Sequence, residues 1–303
     1  MTKVTIDHSK RTCATTCLRK YYYQHIRNLA PSIGSSALRY GSTWHGFMDG
    51  YYRHIKENGW TRDGEALNAA VEAGQKAWEK ESAKFQFYTD YRTLQNCAKA
   101  FLEYVNYFSG DFGMLEVIEV EKAFKIEFPD FIFTGKLDLQ VELNGLPWLM
   151  EHKTTGQYLQ RQIQLLNRSA QIIGYSHACQ LAGYEIEGVL ISFHHLSSRK
   201  LKSGDWGALK IDFQRVPHIH STQNVHDWYE IFKHEANRIA AAHETGNWVK
   251  QYDSCYNYGQ CPYLPLCDQN RPLGEEVTSE YVSNEWDVLK TVEGEPICLT
   301  HEM

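Results

Sequence analysis

Three side chains near the middle of the chain, Asp138, Glu151 and Lys153, are spaced to work on a phosphate or on water held by a cation. Asn144-Gly145 separates two apolar-rich runs, 131–143 and 146–154, and is a strong two-residue hairpin signal. With those residues as the loop, Leu143 faces Leu146, Val141 faces Trp148 and Leu139 faces Met150, which makes one apolar face. The other face carries Lys136, Asp138 and Gln140 on one strand and Leu149, Glu151 and Lys153 on its partner. Asp138 then falls across from Glu151. Directly opposed like charges destabilise a sheet, and cross-strand Cβ atoms lie only about 4.5–5.5 Å apart. A divalent cation held by both carboxylates would remove the repulsion, with Lys153 beside it to hold water or phosphate. The alternative is a solvated sheet face with a Glu–Lys network, and a one-residue slip in the turn would undo the pairing.

A second group with chemical potential is sulfur. The chain has eight cysteines, and Cys255, Cys261 and Cys267 recur with five residues between neighbours. In an intracellular chain such a local cluster points to metal binding or chemistry rather than disulfides. Zinc sites prefer cysteine pairs two to four residues apart, so this spacing suits zinc poorly. A structural zinc and free thiols stay open. Cys97 and Cys179 fall in helical stretches and read as core. Cys13 and Cys17 lie in the first helical stretch, and Cys298 in the tail has no assignment.

These residues need elements to hold them. Proline-free stretches with helical signals cover 9–29, 37–58, 63–84 and 90–109. Val-, Ile- and Phe-rich runs then predict strands over 115–128, 131–143 and 146–154. A helix over 160–182, strands over 188–195 and 209–213, and a helix over 222–245 follow. Residues 250–270 form a Cys-, Tyr- and Pro-rich loop, and 271–303 is an acidic tail with little periodicity, expected to be partly ordered at best. This order predicts an α/β fold with a helical N-terminal addition.

Composition bounds the rest. The 303 residues are 43% hydrophobic and 22% charged, which excludes a disordered polymer or a fibre. No apolar run approaches the roughly 18 residues of a membrane span, and the N-terminus has no signal-peptide core. The expectation is a soluble intracellular protein without a membrane partner. Net charge is −6, which argues against nucleic acid for the chain as a whole. Residues 1–60, however, hold nine basic and three acidic residues, against two and eight over 271–303. A basic N-terminal fifth can bind phosphate despite the total.

The pattern Asp138 followed by Glu151-His152-Lys153 resembles the PD-(D/E)xK nuclease superfamily. A literal Pro129-Asp130 lies upstream, but Asp130 would sit too far down the hairpin. Gly135-Lys136-Leu137-Asp138 resembles the Gly-x-x-Asp form of the RecB-like branch. Gly41-Ser42-Thr43-Trp44-His45 resembles that branch's Gly-x-x-x-His motif, and Gln171-Ile172-Ile173-Gly174-Tyr175 its Gln-x-x-x-Tyr helix. Cys255, Cys261 and Cys267 resemble the C-terminal triad of the branch's iron–sulfur members. There a fourth cysteine precedes a basic-aromatic segment, matched by Cys17-Leu18-Arg19-Lys20-Tyr21, with Cys13 as the competitor. The resemblance covers residues 9–268 and extends to the RecB and AddB nuclease domains, the CRISPR adaptation nucleases and phage exonucleases.

That resemblance implies a restriction-endonuclease-like core, a mixed sheet flanked by helices, in one domain over 1–270. Its parts would be a helical region over 1–110, a catalytic core over 111–250 and a cysteine loop over 250–270. It implies Mg²⁺ or Mn²⁺ on His45, Asp138, Glu151 and the His152 carbonyl, with Asp138, Glu151 and Lys153 catalytic. It implies a [4Fe–4S] cluster on Cys17, Cys255, Cys261 and Cys267, and substrate contacts from Gln171, Tyr175, Arg19, Lys20 and Tyr22. The implied function is a DNA exonuclease acting on DNA ends, single-stranded by preference. The setting would be recombination or repair in the cytoplasm of a bacterial or phage-infected cell, with recombination or CRISPR proteins as possible partners. The alternative is a non-catalytic nucleic-acid-binding or complex-assembly protein on the same scaffold.

Overall fold

The computed structural model describes residues 3–61, 64–166, 168–257, 259–291 and 294–301. In chain order the elements are β1 (Val4–Ile6), α1 (His8–Thr16), α2 (Leu18–Tyr21), a π turn (Tyr22–Ile26), β2 (Leu29–Pro31), α3 (Ser36–Asn58), α4 (Glu65–Lys84), α5 (Leu94–Tyr107), β3 (Leu115–Glu127), β4 (Phe131–Leu143), β5 (Leu146–Thr155), α6 (Leu159–Leu166), α7 (Ala170–Leu181), β6 (Gly188–Ser197), β7 (Lys210–His218), α8 (Thr222–Thr245), α9 (Leu264–Cys267), β8 (Tyr281–Ser283) and β9 (Ile297–Thr300). They form two compact units that alternate along the chain. One comprises residues 1–34, 123–135 and 223–303, the other 35–122 and 136–222.

The second unit is an α/β layer structure. Its strands run in the order β7-β6-β5-β4-β3. β4–β5 and β6–β7 are antiparallel and β5–β6 is parallel, so the sheet is mixed. The parallel step needs a crossover, which α6 and α7 supply. The hairpin turn is the expected one: Asn144 and Gly145 both take positive φ, 55° and 75°, as a two-residue primed turn requires. Its register, Leu143↔Leu146 to Leu139↔Met150, is the one the turn dictates.

α3 starts at Ser35, whose Oγ accepts the Leu38 N–H, and stops at Gly59 with φ 76°. Its apolar stripe, Tyr40, Trp44, Phe47, Met48, Tyr51, Tyr52 and Ile55, recurs at helical spacing. That stripe packs with Phe101 and Tyr104 of α5 onto Leu139, Val141 and Met150. The opposite face, with Leu149, Glu151 and Lys153, is met by Gln171 at the start of α7. The solvated-face reading of the hairpin therefore falls: Glu151 is 2% exposed.

The first unit gathers both chain ends. β1 runs parallel to Phe131–Phe133 of β4, and β9 runs parallel to Phe124–Glu127 of β3. β2 pairs with β8. The segment 271–303 thus supplies two strands, where little order was expected; backbone pairing holds them without apolar periodicity. Trp228 and Phe232 of α8 cover Phe133, at ring-centroid distances of 4.9 and 5.1 Å.

Two expected helices are broken. The stretch 9–29 ends at Cys17, which is extended (φ −169°, ψ 122°), and resumes as α2 and the π turn. The stretch 160–182 is divided into α6 and α7, with Asn167 outside the described residues. Asp63, the expected start of α4, is also outside them. The strand expected over 209–213 extends to His218, paired along β6.

α3 and α4 approach closely through glycine. A Cβ on Gly50 would lie 2.5 Å from the Ala69 carbonyl oxygen and 2.8 Å from Ala73 Cβ. In an exposed helix Gly→Ala stabilises by roughly 0.5–1 kcal/mol. Here overpacking reverses the sign, and Gly50→Ala is expected to lower stability by about 1–3 kcal/mol, read from urea melts. A gain in stability would refute this packing.

Candidate metal centre

The hairpin ladder opens where the acidic residues begin. The next position after Leu139↔Met150 holds Asp138 and Glu151, and there the His152 N–H donates to Asp138 Oδ2 at 2.9 Å instead. Asp138 Oδ1 faces His45 Nδ1 at 3.5 Å, from the middle of α3. Lys153 Nζ donates to Glu151 Oε1 at 2.7 Å and to Gln171 Oε1 at 3.0 Å. Gln171 Nε2 closes the triangle on Glu151 Oε1 at 3.0 Å. Gln171 therefore orients the Glu151–Lys153 pair, and Tyr175, one turn on, is buried in α7.

The electrostatics are those of a carboxylate-rich site with most of its charges buried. Burial raises the carboxyl pKa of Glu151 to about 7, with Asp138 adding repulsion. Burial also raises Asp138, against the pull of Lys153 and Lys136. Desolvation works to lower the Lys153 ammonium, but Glu151 and Asp138 outweigh it and its pKa rises. His45 is pushed down to about 4 by burial, then by the two lysines. A neutral imidazole is a ligand rather than a cation.

One further group enters. Glu121 on β3 brings a carboxylate oxygen to the site: ligand atoms of His45, Glu121 and Asp138 all lie within 4.8 Å of one another. Glu121 also pairs with Lys136. Sequence reasoning missed it because Glu116, Glu119 and Glu121 look alike on an alternating strand. The available signal was the adjacent pair Val117-Ile118, where the alternation slips. In the fold the buried positions pass from 115 and 117 to 120, then to 123, 124 and 126.

A divalent cation fits these residues. The donors are one imidazole nitrogen and carboxylate oxygens, a set suited to Mg²⁺ or Mn²⁺. Glu151 Oε2 is buried without a hydrogen-bond partner. His45 keeps 32% of its side chain exposed, which leaves the site open to solvent. The His152 ring is buried against Tyr52, 5.9 Å between centroids, so a ligand from this residue would be its carbonyl. The upstream Asp130 is occupied elsewhere, accepting from Tyr229 Oη at 2.7 Å.

The remaining expected site residues lie in the first unit. Tyr22 is 8% exposed, and its ring packs on Trp248 and Tyr23. Little of the ring is left for the expected substrate contact. Arg19 Nε donates to the Trp248 carbonyl at 2.9 Å, while Lys20 is half-buried. Cys17, Cys255, Cys261 and Cys267 all belong to this unit and are free thiols. Interactions link Cys255 to Cys17 and Cys261, and Cys267 to the same two. Cys13 also interacts with Cys17 and Cys261, but it is buried, its thiol donating to Gln24 Oε1 at 3.6 Å.

A mixed sheet flanked by helices carries a candidate metal site of His45, Glu121 and Asp138, with the Glu151–Lys153 pair beside it. A profile described as PD-(D/E)XK nuclease superfamily matches residues 6–268, and the chain belongs to that superfamily. No curated protein sequence matches it. Among solved structures, one titled "Crystal structure of SSO0001" is similar at 9% identity and a TM-score of 0.30, over 87% of this chain and 98% of that one.

Without a cation, two buried like charges oppose folding. Asp138→Asn keeps the acceptor for the His152 N–H and removes one charge. In EDTA it is expected to raise stability by about 1–2 kcal/mol. It should also lose the stabilisation that Mn²⁺ gives the parent protein. Urea melts with and without Mn²⁺ read both effects, and a destabilised, Mn²⁺-responsive variant would contradict this account.

Proposed function

We propose that this protein is a Mg²⁺- or Mn²⁺-dependent deoxyribonuclease of the RecB-like branch that hydrolyses phosphodiester bonds at DNA ends. The carrying observation is the buried Asp138 and Glu151 with the half-buried Lys153 and His45 beside them. His45, Asp138 and Glu151 would hold the metal, with the His152 carbonyl as a further ligand. When bound, a divalent cation activates the attacking water and neutralises phosphate charge. Lys153 has three N–H donors, of which two are engaged by Glu151 and Gln171. The third is available to orient the water or meet charge developing on the phosphate. Gln171 keeps the ammonium aimed, and Tyr175 packs the helix that carries it.

A path for the strand is supported by composition around the site. No acidic residue occurs between Glu151 and Glu185, in a chain that is acidic overall. That stretch exposes Tyr158, at 74%, together with Arg161 and Arg168. An exposed ring with exposed guanidinium groups in the same stretch suits base stacking and phosphate contact on single strands. Action on single-stranded ends in recombination or repair fits this surface, in the cytoplasm of a bacterial or phage-infected cell. A role beside recombination or CRISPR proteins would use the same activity. Among the described residues no helix is long and apolar enough to cross a membrane.

The proposal includes a [4Fe–4S] cluster on Cys17, Cys255, Cys261 and Cys267. Four free thiols in one unit, with Lys250 and Arg19 near Cys267, provide the donors and counter-charge for it. Among the described residues no three of these sulfur atoms lie within 4.8 Å of one another. Such a cluster would tie residue 17 to residue 267 and act as a staple rather than a redox centre.

Cleavage of 5′- and 3′-labelled single- and double-stranded DNA with Mg²⁺ or Mn²⁺ tests the activity. Metal-dependent loss of label from one end is expected, and Lys153→Ala should reduce it by at least about 10²-fold. Binding without cleavage by folded, metal-loaded protein would instead favour the assembly-protein reading. For the cluster, anaerobically purified protein should be brown and contain iron and sulfide. Cys17→Ala and Cys261→Ala should lose colour, with lower solubility and DNA binding, while Cys13→Ala should keep it. A colourless parent protein that binds zinc would exclude the cluster.

A further inference from the structure

Glu121 sits where a structural glutamate has little reason to be. It adopts φ 52° within β3, a left-handed conformation. The other described non-glycine residues with positive φ are Asn28, Asn144 and Asn270, the type that tolerates it best. A bulky side chain held there costs about 1–2 kcal/mol, which a glycine would avoid. The backbone turn carries the carboxylate to the site, 11% exposed and paired with Lys136.

That location is unfavourable for a simple ion pair. Besides Lys136, the carboxylate faces Asp138 and Asp49, and both repel it. A pair made only for stability would not be set against two further carboxylates. Its oxygen lies within 4.8 Å of ligand atoms of both His45 and Asp138. Nearby, Glu151 Oε2 is buried without a partner, and that carboxylate interacts with Asp138 and His45. Three donor side chains from three elements, α3, β3 and β4, thus converge, with Glu151 of β5 nearby, while Lys136 and Lys153 offset only part of the carboxylate charge.

We propose that Glu121 is a further protein ligand of the divalent metal, held at the site by Lys136 until a cation takes over that charge. The inference rests on the metal-site reading above and extends it. It makes the donor set one nitrogen and three carboxylates rather than two. It also gives Lys136 a defined part: the lysine stands in for the metal and competes with it. Removing the ligand and removing the competitor should therefore move affinity in opposite directions.

The test is Mn²⁺ binding to the full chain without DNA, by titration calorimetry and by loss of the free-ion electron paramagnetic resonance signal. Glu121→Gln keeps size and a hydrogen bond to Lys136, and should weaken Mn²⁺ by about 10–100-fold. Glu121→Gly suits the positive φ and guards against misfolding; it should weaken Mn²⁺ similarly while being at least as stable in EDTA. Lys136→Met should tighten Mn²⁺ or depend on it for full stability. Unchanged affinity in folded Glu121→Gln and Glu121→Gly, with Asp138→Asn still defective, would overturn the inference and leave the metal centre standing. Absence of Mn²⁺ binding by the parent protein would overturn both.

Discussion

Two carboxylates forced together across a sheet are the constraint on which the second unit depends. The primed turn at Asn144-Gly145 fixes the register, and the register brings Asp138 and Glu151 to adjacent places. Covering that face removes water and makes the repulsion strong. The surrounding structure answers with cations and donors: Lys153 on Glu151, the His152 N–H on Asp138, Lys136 on Glu121 and Gln171 on the Glu151–Lys153 pair. Carboxylates outnumber the lysines that meet them, and a divalent cation would offset the remainder.

The apolar framework of the unit serves this arrangement. The aromatic stripe of α3 anchors the helix to Leu139, Val141 and Met150, which fixes where His45 stands beside Asp138. Glycines at the α3–α4 contact let that helix be held from its other side. α7 places Gln171 because the parallel step from β5 to β6 obliges the chain to cross over. Helix, hairpin and crossover thus each deliver one part of a site that none of them contains alone. The first unit solves a different problem, the securing of both chain ends. Its short strands β1 and β9 use backbone pairing, and its cysteines are free thiols.

The readable part of the chain was local. A two-residue turn has few conformations, so Asn144-Gly145 was enough to align Asp138 with Glu151. Long amphipathic runs gave α3, α5 and α8 to within a few residues. Where neighbours distant in sequence decide, the reading failed. Tyr22 in a basic segment suggested substrate contact, yet its ring is buried against Trp248. The first helical stretch had no proline to warn of the extended break at Cys17.

By itself, then, the amino-acid order determined the superfamily-like Asp…Glu-x-Lys spacing, the hairpin register and the α/β class, because turn sterics and side-chain periodicity act within a few residues. Tertiary structure alone decided that Glu121 joins His45 and Asp138, since a slip in the alternation of β3 changes which side chain points inward. It also decided that the acidic tail contributes β8 and β9, because strand pairing is a contract between backbones, and side-chain patterns announce it weakly when a strand has only three or four residues.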